Sequence, residues 1–278
     1  MKRMLELRDD GHAFINSSSA EIINTCLRKA QYALNRNLRR EGESDALTFG
    51  TAIHAALAAF YNGQRDLEYI HKIFEHEAKP LAHLDNDKRS IANGKKILER
   101  YVATYENDPW TVYYDDKGPF IERSFELPLT SKVTVHGTID CILQNTETGE
   151  LVVCDHKTTS TVSDLINRVK PNLQFSIYAW AANQLGIPVT RVMVNGIQVA
   201  KTKSDFVRIF TDRTEEDFQE MRMSLADAVN RYNFATTMNT YPQNSGSCAN
   251  WGGCPYLEIC QTGIEHREAM IQQIYGQV

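Results

Sequence analysis

Asp140, Asp155 and Lys157 stand at the ends of two consecutive strand-like runs, VTVHGTID and LVVCDHK, joined by the polar turn NTETGE. The runs are β-branched and apolar, and Gly149 supplies the bend of a hairpin. Pairing the two strands brings one carboxylate from each to the same edge of a sheet, with an ammonium two residues beyond the second. Two hard oxygen donors suit a Mg²⁺ or Mn²⁺ ion. A lysine beside them can orient a water or stabilise the charge that develops during attack on a phosphodiester. An isolated Asp-x-Lys is more often a pair of strand-end charges facing solvent, so the reading depends on the company it keeps.

That company is specific. His54 lies in GTAIH, on an alanine-rich helical stretch that follows Gly50. Gln174 and Tyr178 are four residues apart and share one face of the helix after the second strand. Taken singly, His54 is a core histidine and the Gln/Tyr pair is a helix face meeting a sheet. Taken together and in this order, G50-x-x-x-H54, G137-T-I-D140, D155-x-K157 and Q174-x-x-x-Y178 resemble the PD-(D/E)XK nuclease superfamily. More narrowly they resemble its RecB-type branch, which includes recombination exonucleases, CRISPR-associated iron–sulfur nucleases and many phage nucleases. The resemblance implies a restriction-endonuclease-like α/β fold, with a mixed central sheet flanked by helices. It also implies metal-dependent DNA hydrolysis, by an exonuclease of recombination, repair or phage DNA processing. On the same ground His54, Asp140 and Asp155 bind the catalytic Mg²⁺ or Mn²⁺. Lys157 assists the attacking water, and Gln174 and Tyr178 line the DNA side of the site. Ile139 stands where the family usually has proline, and the second acid is Asp155 rather than Glu.

The elements that must position these residues follow from the pattern. The first hundred residues read as helical, with Ser18 and Glu21 as a capping box before the basic stretch Leu27–Arg40. An alanine-rich helix is expected over Phe49–Tyr61, and two more up to Tyr105. Strands are expected from Phe120 to Asp155, a helix over Pro171–Leu185, strands over Arg191–Val199 and Phe206–Phe210, and a long helix from Thr214. This gives a helical region over 1–110, a nuclease core over 111–240 and a Cys-rich loop with a terminal helix over 241–278, integrated as one domain. His136 and His156 flank the strand ends but are left out of the site. His156 should point away from Asp155 and Lys157, and His136 lies four residues back from Asp140.

Six cysteines occur in 278 residues. Cys248, Cys254 and Cys260 form an evenly spaced triplet in a loop that Gly252 and Gly253 allow to turn tightly, and Cys26 is the candidate fourth ligand. Cys141 and Cys154 read as small core residues. One upstream cysteine with a C-terminal triplet is how iron–sulfur members of the resembled branch join their two ends, which implies a structural [4Fe–4S] cluster. Five residues separate Cys248 from Cys254, against two in the usual pattern, and a Cys₄ Zn²⁺ site uses the same ligands. Arg28, Lys29, Arg36, Arg39 and Arg40 fit a solvated helix face as well as a phosphate-tracking one.

The net charge of −5 argues against a bulk electrostatic nucleic-acid binder, though not against local grip on a phosphate backbone. There is no apolar run of membrane-spanning length and no signal-like N-terminus, so a cytoplasmic location is expected, the host cytoplasm if the chain is phage-encoded. The expected partner is DNA, single-stranded or at duplex ends. A recombination or helicase partner would have to supply any unwinding, because the chain has no P-loop. Two other readings remain open: a catalytically weak nucleic-acid-binding recombination subunit, and a zinc-stabilised interaction module.

Overall fold

The computed structural model describes residues 5–7, 12–39, 44–250 and 253–276. Its elements begin with β1 (Leu5–Leu7), β2 (Ala13–Ile15), α1 (Ser17–Thr25), α2 (Leu27–Ala30), α3 (Asp45–Tyr61), α4 (Leu67–Glu77) and α5 (Ile91–Thr104). Strands β3 (Trp110–Val112), β4 (Tyr114–Asp115), β5 (Gly118–Pro119), β6 (Ile121–Thr130), β7 (Val133–Asn145) and β8 (Leu151–Thr159) follow. The chain continues through α6 (Val162–Ile166), α7 (Leu173–Gln184), β9 (Arg191–Gln198) and β10 (Phe206–Asp212). It ends in α8 (Glu215–Thr237), α9 (Leu257–Gln261) and α10 (Arg267–Tyr275). Two units form: residues 43–125 with 138–218, and residues 1–42 with 126–137 and 219–278.

The first of these units carries the mixed sheet that positions the predicted chemistry. β7 pairs antiparallel with β8, β8 parallel with β9, and β9 antiparallel with β10. The parallel step needs a crossover, and α6 and α7 provide it. α7 is buried at eight consecutive positions, Phe175–Ala182, as a helix that is apolar all round must be. α3 opens at Ser44, whose side chain accepts the Leu47 N–H. Its apolar positions Phe49, Ile53, Leu57 and Phe60 recur at helical spacing and pack with Cys141, Leu143, Val152, Cys154 and Met193 of the sheet. Gly50 lets the helix come close: a Cβ there would lie 3.3 Å from the Thr158 hydroxyl of β8.

The other unit departs from the helical expectation for the N-terminus. β1 and β2 form a hairpin, and β2 pairs in parallel with Val133–Val135 of β7. Three-residue strands are too short to show a period of two, and their partner lies more than a hundred residues away. The basic helix is also broken. Cys26 is extended (φ −169°, ψ 123°) and separates α1 from α2, and residues Gln31–Asn35 continue in a wider π turn. The cap of α1 is Asn16 with Ser19, two residues earlier than Ser18 with Glu21. Tyr32, Leu38, Tyr256, Ile259 and Ile271 form this unit's own small core. Among the described residues no helix is long and apolar enough to cross a membrane.

Candidate active site

β7 and β8 hold register from Gln144↔Leu151 to Cys141↔Cys154. Just beyond that stretch, the backbone N–H of His156 goes to the Asp140 carboxylate (2.8 Å to Oδ2) rather than to a strand carbonyl. The same Oδ2 lies 3.2 Å from Nδ1 of His54, which α3 delivers from the facing helix. Asp155 is fully buried, and neither of its carboxylate oxygens has a hydrogen-bond donor. Lys157 Nζ is 2.8 Å from Oδ2 of Asp155, an ion-pair distance without hydrogen-bond alignment. The structure thus brings His54, Asp140, Asp155 and Lys157 together from one helix and two strands.

Burial, and then the charge of Asp155, push Asp140 up to about 6, against the pull of His54. Gln174 Nε2 donates to the Tyr178 hydroxyl at 3.0 Å, one turn apart on α7. Tyr178 is pushed up by burial and by Asp155, so its hydroxyl keeps its proton at neutral pH. Phe175, between them in sequence, lies under the Lys157 ammonium, 5.9 Å from ring centroid to Nζ.

Glu122 was not foreseen from the sequence. Its carboxylate joins His54 and Asp140 in a group whose donor atoms all lie within 4.8 Å of one another. Partial desolvation of a side chain that still reaches solvent, then Asp140 and Asp155, push it up to about 7. Its backbone has φ 48°, a left-handed conformation that costs a non-glycine residue roughly 1 kcal/mol or more and clusters at functional sites. Asp140 and Asp155 lie within β7 and β8 rather than at their ends, because pairing carries both strands on past the acids, and a lone acid in IERSF has no spacing relation to them, so only the fold reveals it.

Orphaned oxygens on a buried carboxylate are costly unless something satisfies them. With the His54, Glu122 and Asp140 donors within 4.8 Å of one another and the buried Asp155 carboxylate on the adjacent strand, the set fits a hard divalent cation.

A second group of donors, Cys141, Cys154 and His156, is buried on the α3 side of the same strands. The His156 ring turns away from Asp155, as strand alternation requires. His136 is buried in the other unit, outside this group. The remaining cysteines lie in that unit as well. Asn244 donates its backbone N–H to Cys26 Sγ (3.4 Å), and its carbonyl lies 3.8 Å from Cys248 Sγ. The N–H of Cys254 bonds to the carbonyl of Cys248 at 2.8 Å, and Cys260 sits on α9. No three of these four sulfurs lie within 4.8 Å of one another. Gly252 and Arg40 fall outside the described residues. Of the basic stretch, Arg28 Nε donates to the Tyr241 carbonyl and Arg36 pairs with Glu268, so two of its guanidiniums are engaged within the fold.

A family model of the PD-(D/E)XK nuclease superfamily matches residues 15–261. The chain belongs to the PD-(D/E)XK nuclease superfamily. It is therefore a nuclease, and its substrate is a nucleic acid. Among solved structures, this nuclease is similar to a protein from Eubacterium rectale that carries a provisional exonuclease name. The two share 14% identity over 85% of this chain and 86% of that one, with a TM-score of 0.54. At that identity the likeness shows the fold, a mixed sheet flanked by helices. A second structure, SSO0001, shares 15% identity over 88% and 96% of the two chains, with a TM-score of 0.33. Among curated proteins none matches.

Proposed function

We propose that this nuclease hydrolyses DNA phosphodiester bonds as a divalent-metal-dependent exonuclease. The observation that carries the reading is Asp155: fully buried, its Oδ1 met by no donor and its Oδ2 met only by the ammonium of Lys157 at 2.8 Å. A bound Mg²⁺ or Mn²⁺ would supply Lewis-acid stabilisation of the phosphate charge. Asp140, Asp155 and His54 hold it, with Glu122 within reach of the same centre. Lys157 Nζ orients the attacking water and offsets charge that develops on the phosphate. Gln174 and Tyr178 present an amide and a protonated hydroxyl toward the DNA backbone. The biological setting is recombination, repair or phage DNA processing in the cytoplasm, with a helicase or recombination partner supplying any unwinding.

Cys26, Cys248, Cys254 and Cys260 are proposed to hold a structural [4Fe–4S] cluster. Asn244 touching both Cys26 and Cys248 supports this, as does an N–H aimed at a ligand sulfur. Tetrahedral Zn²⁺ with Zn–S near 2.3 Å would need sulfurs roughly 3.8 Å apart. No three of the four sulfurs come within 4.8 Å of one another.

The test is digestion of end-labelled DNA, with each end blocked in turn, in Mg²⁺ or Mn²⁺. Asp155→Asn should abolish cleavage in a folded protein, and Lys157→Ala should slow it by about 10²–10⁴-fold. Unimpaired cleavage by a folded Asp155→Asn protein would overturn the mechanism.

A further inference from the structure

We propose that His156 is a positioning residue that sets His54 against Asp140, and that a buried hydrogen-bond chain from Asp108 and Arg208 holds its ring in place. The inference rests on the metal-dependent reading above.

The ring of His156 is 2% exposed and meets α3 at two points. Tyr61 stacks on its face (5.4 Å between centroids, 21° between planes). His54 meets it edge-on (5.7 Å, 90°). His54 and Tyr61 are seven residues apart, two turns of one helix, so both lie on the same α3 face. Two contacts at the ends of that span fix both the rotation and the slide of the helix against β8. The peptide of His156 does the rest, because its N–H holds the Asp140 oxygen that His54 faces. Its neighbours on β8 are Asp155 and Lys157. One residue therefore references the helix-borne donor and both strand-borne acids to a common point.

The ring is itself tethered. Asn195 donates from Nδ2 to His156 Nδ1 (2.9 Å) and to the Tyr101 hydroxyl (2.5 Å). Tyr101 and Tyr61 share a hydrogen bond at 2.8 Å. Arg208 donates to Tyr61 (3.2 Å) and is paired with Asp108. Asn195 Nδ2 can only donate, so Nδ1 of His156 is the acceptor. Apolar side chains of similar shape would fill this space at less desolvation cost. The network even leaves Asn195 Oδ1 and Arg208 Nε without partners. Stability alone does not account for such an arrangement, whereas orientation of a ligand does. Outer partners of metal ligands commonly serve that purpose.

The experiment measures Mn²⁺ uptake by DNA-free protein, from loss of the free-ion electron paramagnetic resonance signal, alongside cleavage and thermal unfolding. Two variants are compared with wild type: His156→Leu, and Tyr61→Phe, which keeps the stacked ring but removes the hydroxyl link. His156→Leu should weaken Mn²⁺ binding about 10- to 100-fold, as loss of an outer partner does, with most cleavage restored at saturating Mn²⁺. Tyr61→Phe should shift binding in the same direction by less. A merely structural role would lower the folded fraction and leave Mn²⁺ affinity per folded molecule unchanged. A folded His156→Leu protein with wild-type Mn²⁺ affinity overturns the proposal. If that variant does not fold, unchanged affinity in Tyr61→Phe overturns it instead. A wild type that binds Mn²⁺ without cutting DNA would defeat the DNase reading and leave this one standing. A wild type that takes up no Mn²⁺ defeats both.

Discussion

Glu122 shows what the residue scale adds to the paired strand aspartates Asp140 and Asp155. It places a third carboxylate beside Asp140 and Asp155 and keeps it there on a strained backbone. With Glu122 near 7 and Asp140 near 6, both lie above the value of about 4 expected in an unfolded chain. Between those values the folded protein holds more protons than the unfolded one. The contribution of these two groups to metal-free stability should therefore be greatest at low pH and fall as pH rises from about 4 to 7. Unfolding midpoints in chelator at pH 5 and pH 7.5 measure this. Glu122→Gln should flatten much of the slope, leaving the share of Asp140, and added Mn²⁺ should flatten it in wild type. A slope that Glu122→Gln does not change would mean that Glu122 is not confined with the other acids. Among the residues that carried the resemblance, His54, Asp140, Asp155 and Lys157 were legible because each lies on a long regular element with a pattern of its own. Glu122 was not, because its place depends on where β6 lies beside β7.

At the scale of elements, the sequence told more about type than about approach. α3, α7 and the strands β7 to β10 were expected close to where they stand, since long periodic segments announce themselves. The three-residue strands β1 and β2 did not, because tertiary pairing rather than local pattern creates them. How closely two helices approach was also hidden. Gly94 on α5 sits against the ring of Phe74 on α4, where an added Cβ would lie 2.1 Å from the ring's Cζ. Alanine in a helix is worth roughly 1 kcal/mol over glycine. Overpacking a core typically costs about 1–3 kcal/mol, and Phe74 is fully buried. Gly94→Ala should therefore destabilise the protein by up to about 2 kcal/mol, the reverse of its effect on an exposed helix. Urea unfolding gives the sign directly. A variant as stable as wild type would show that α4 and α5 can part without loss.

At the scale of the whole molecule, the family match runs from residue 15 to residue 261 and so encloses every proposed cluster ligand. The first of them, Cys26, occupies the extended break between α1 and α2, and the last, Cys260, lies on α9. A single contiguous reading of the chain could list these cysteines but could not show that Cys26 meets the 242–244 segment, since no local signal records a contact across more than two hundred residues. A cluster bridging them would close a loop of that length and remove much conformational freedom from the unfolded chain. Its binding energy would then count as folding energy, because an unfolded chain has no preformed site. It would not take part in the reaction, which transfers no electrons. Anaerobically purified protein should be brown and contain iron and sulfide in equal amounts. Cys254→Ser should lose the colour and unfold at lower temperature, while any protein that remains folded keeps metal-dependent cleavage, because the acids of the nuclease site belong to the other unit. A colourless wild type with one zinc per chain would replace the cluster with a zinc site. Loss of cleavage in a fully folded Cys254→Ser protein would instead refute a purely structural role.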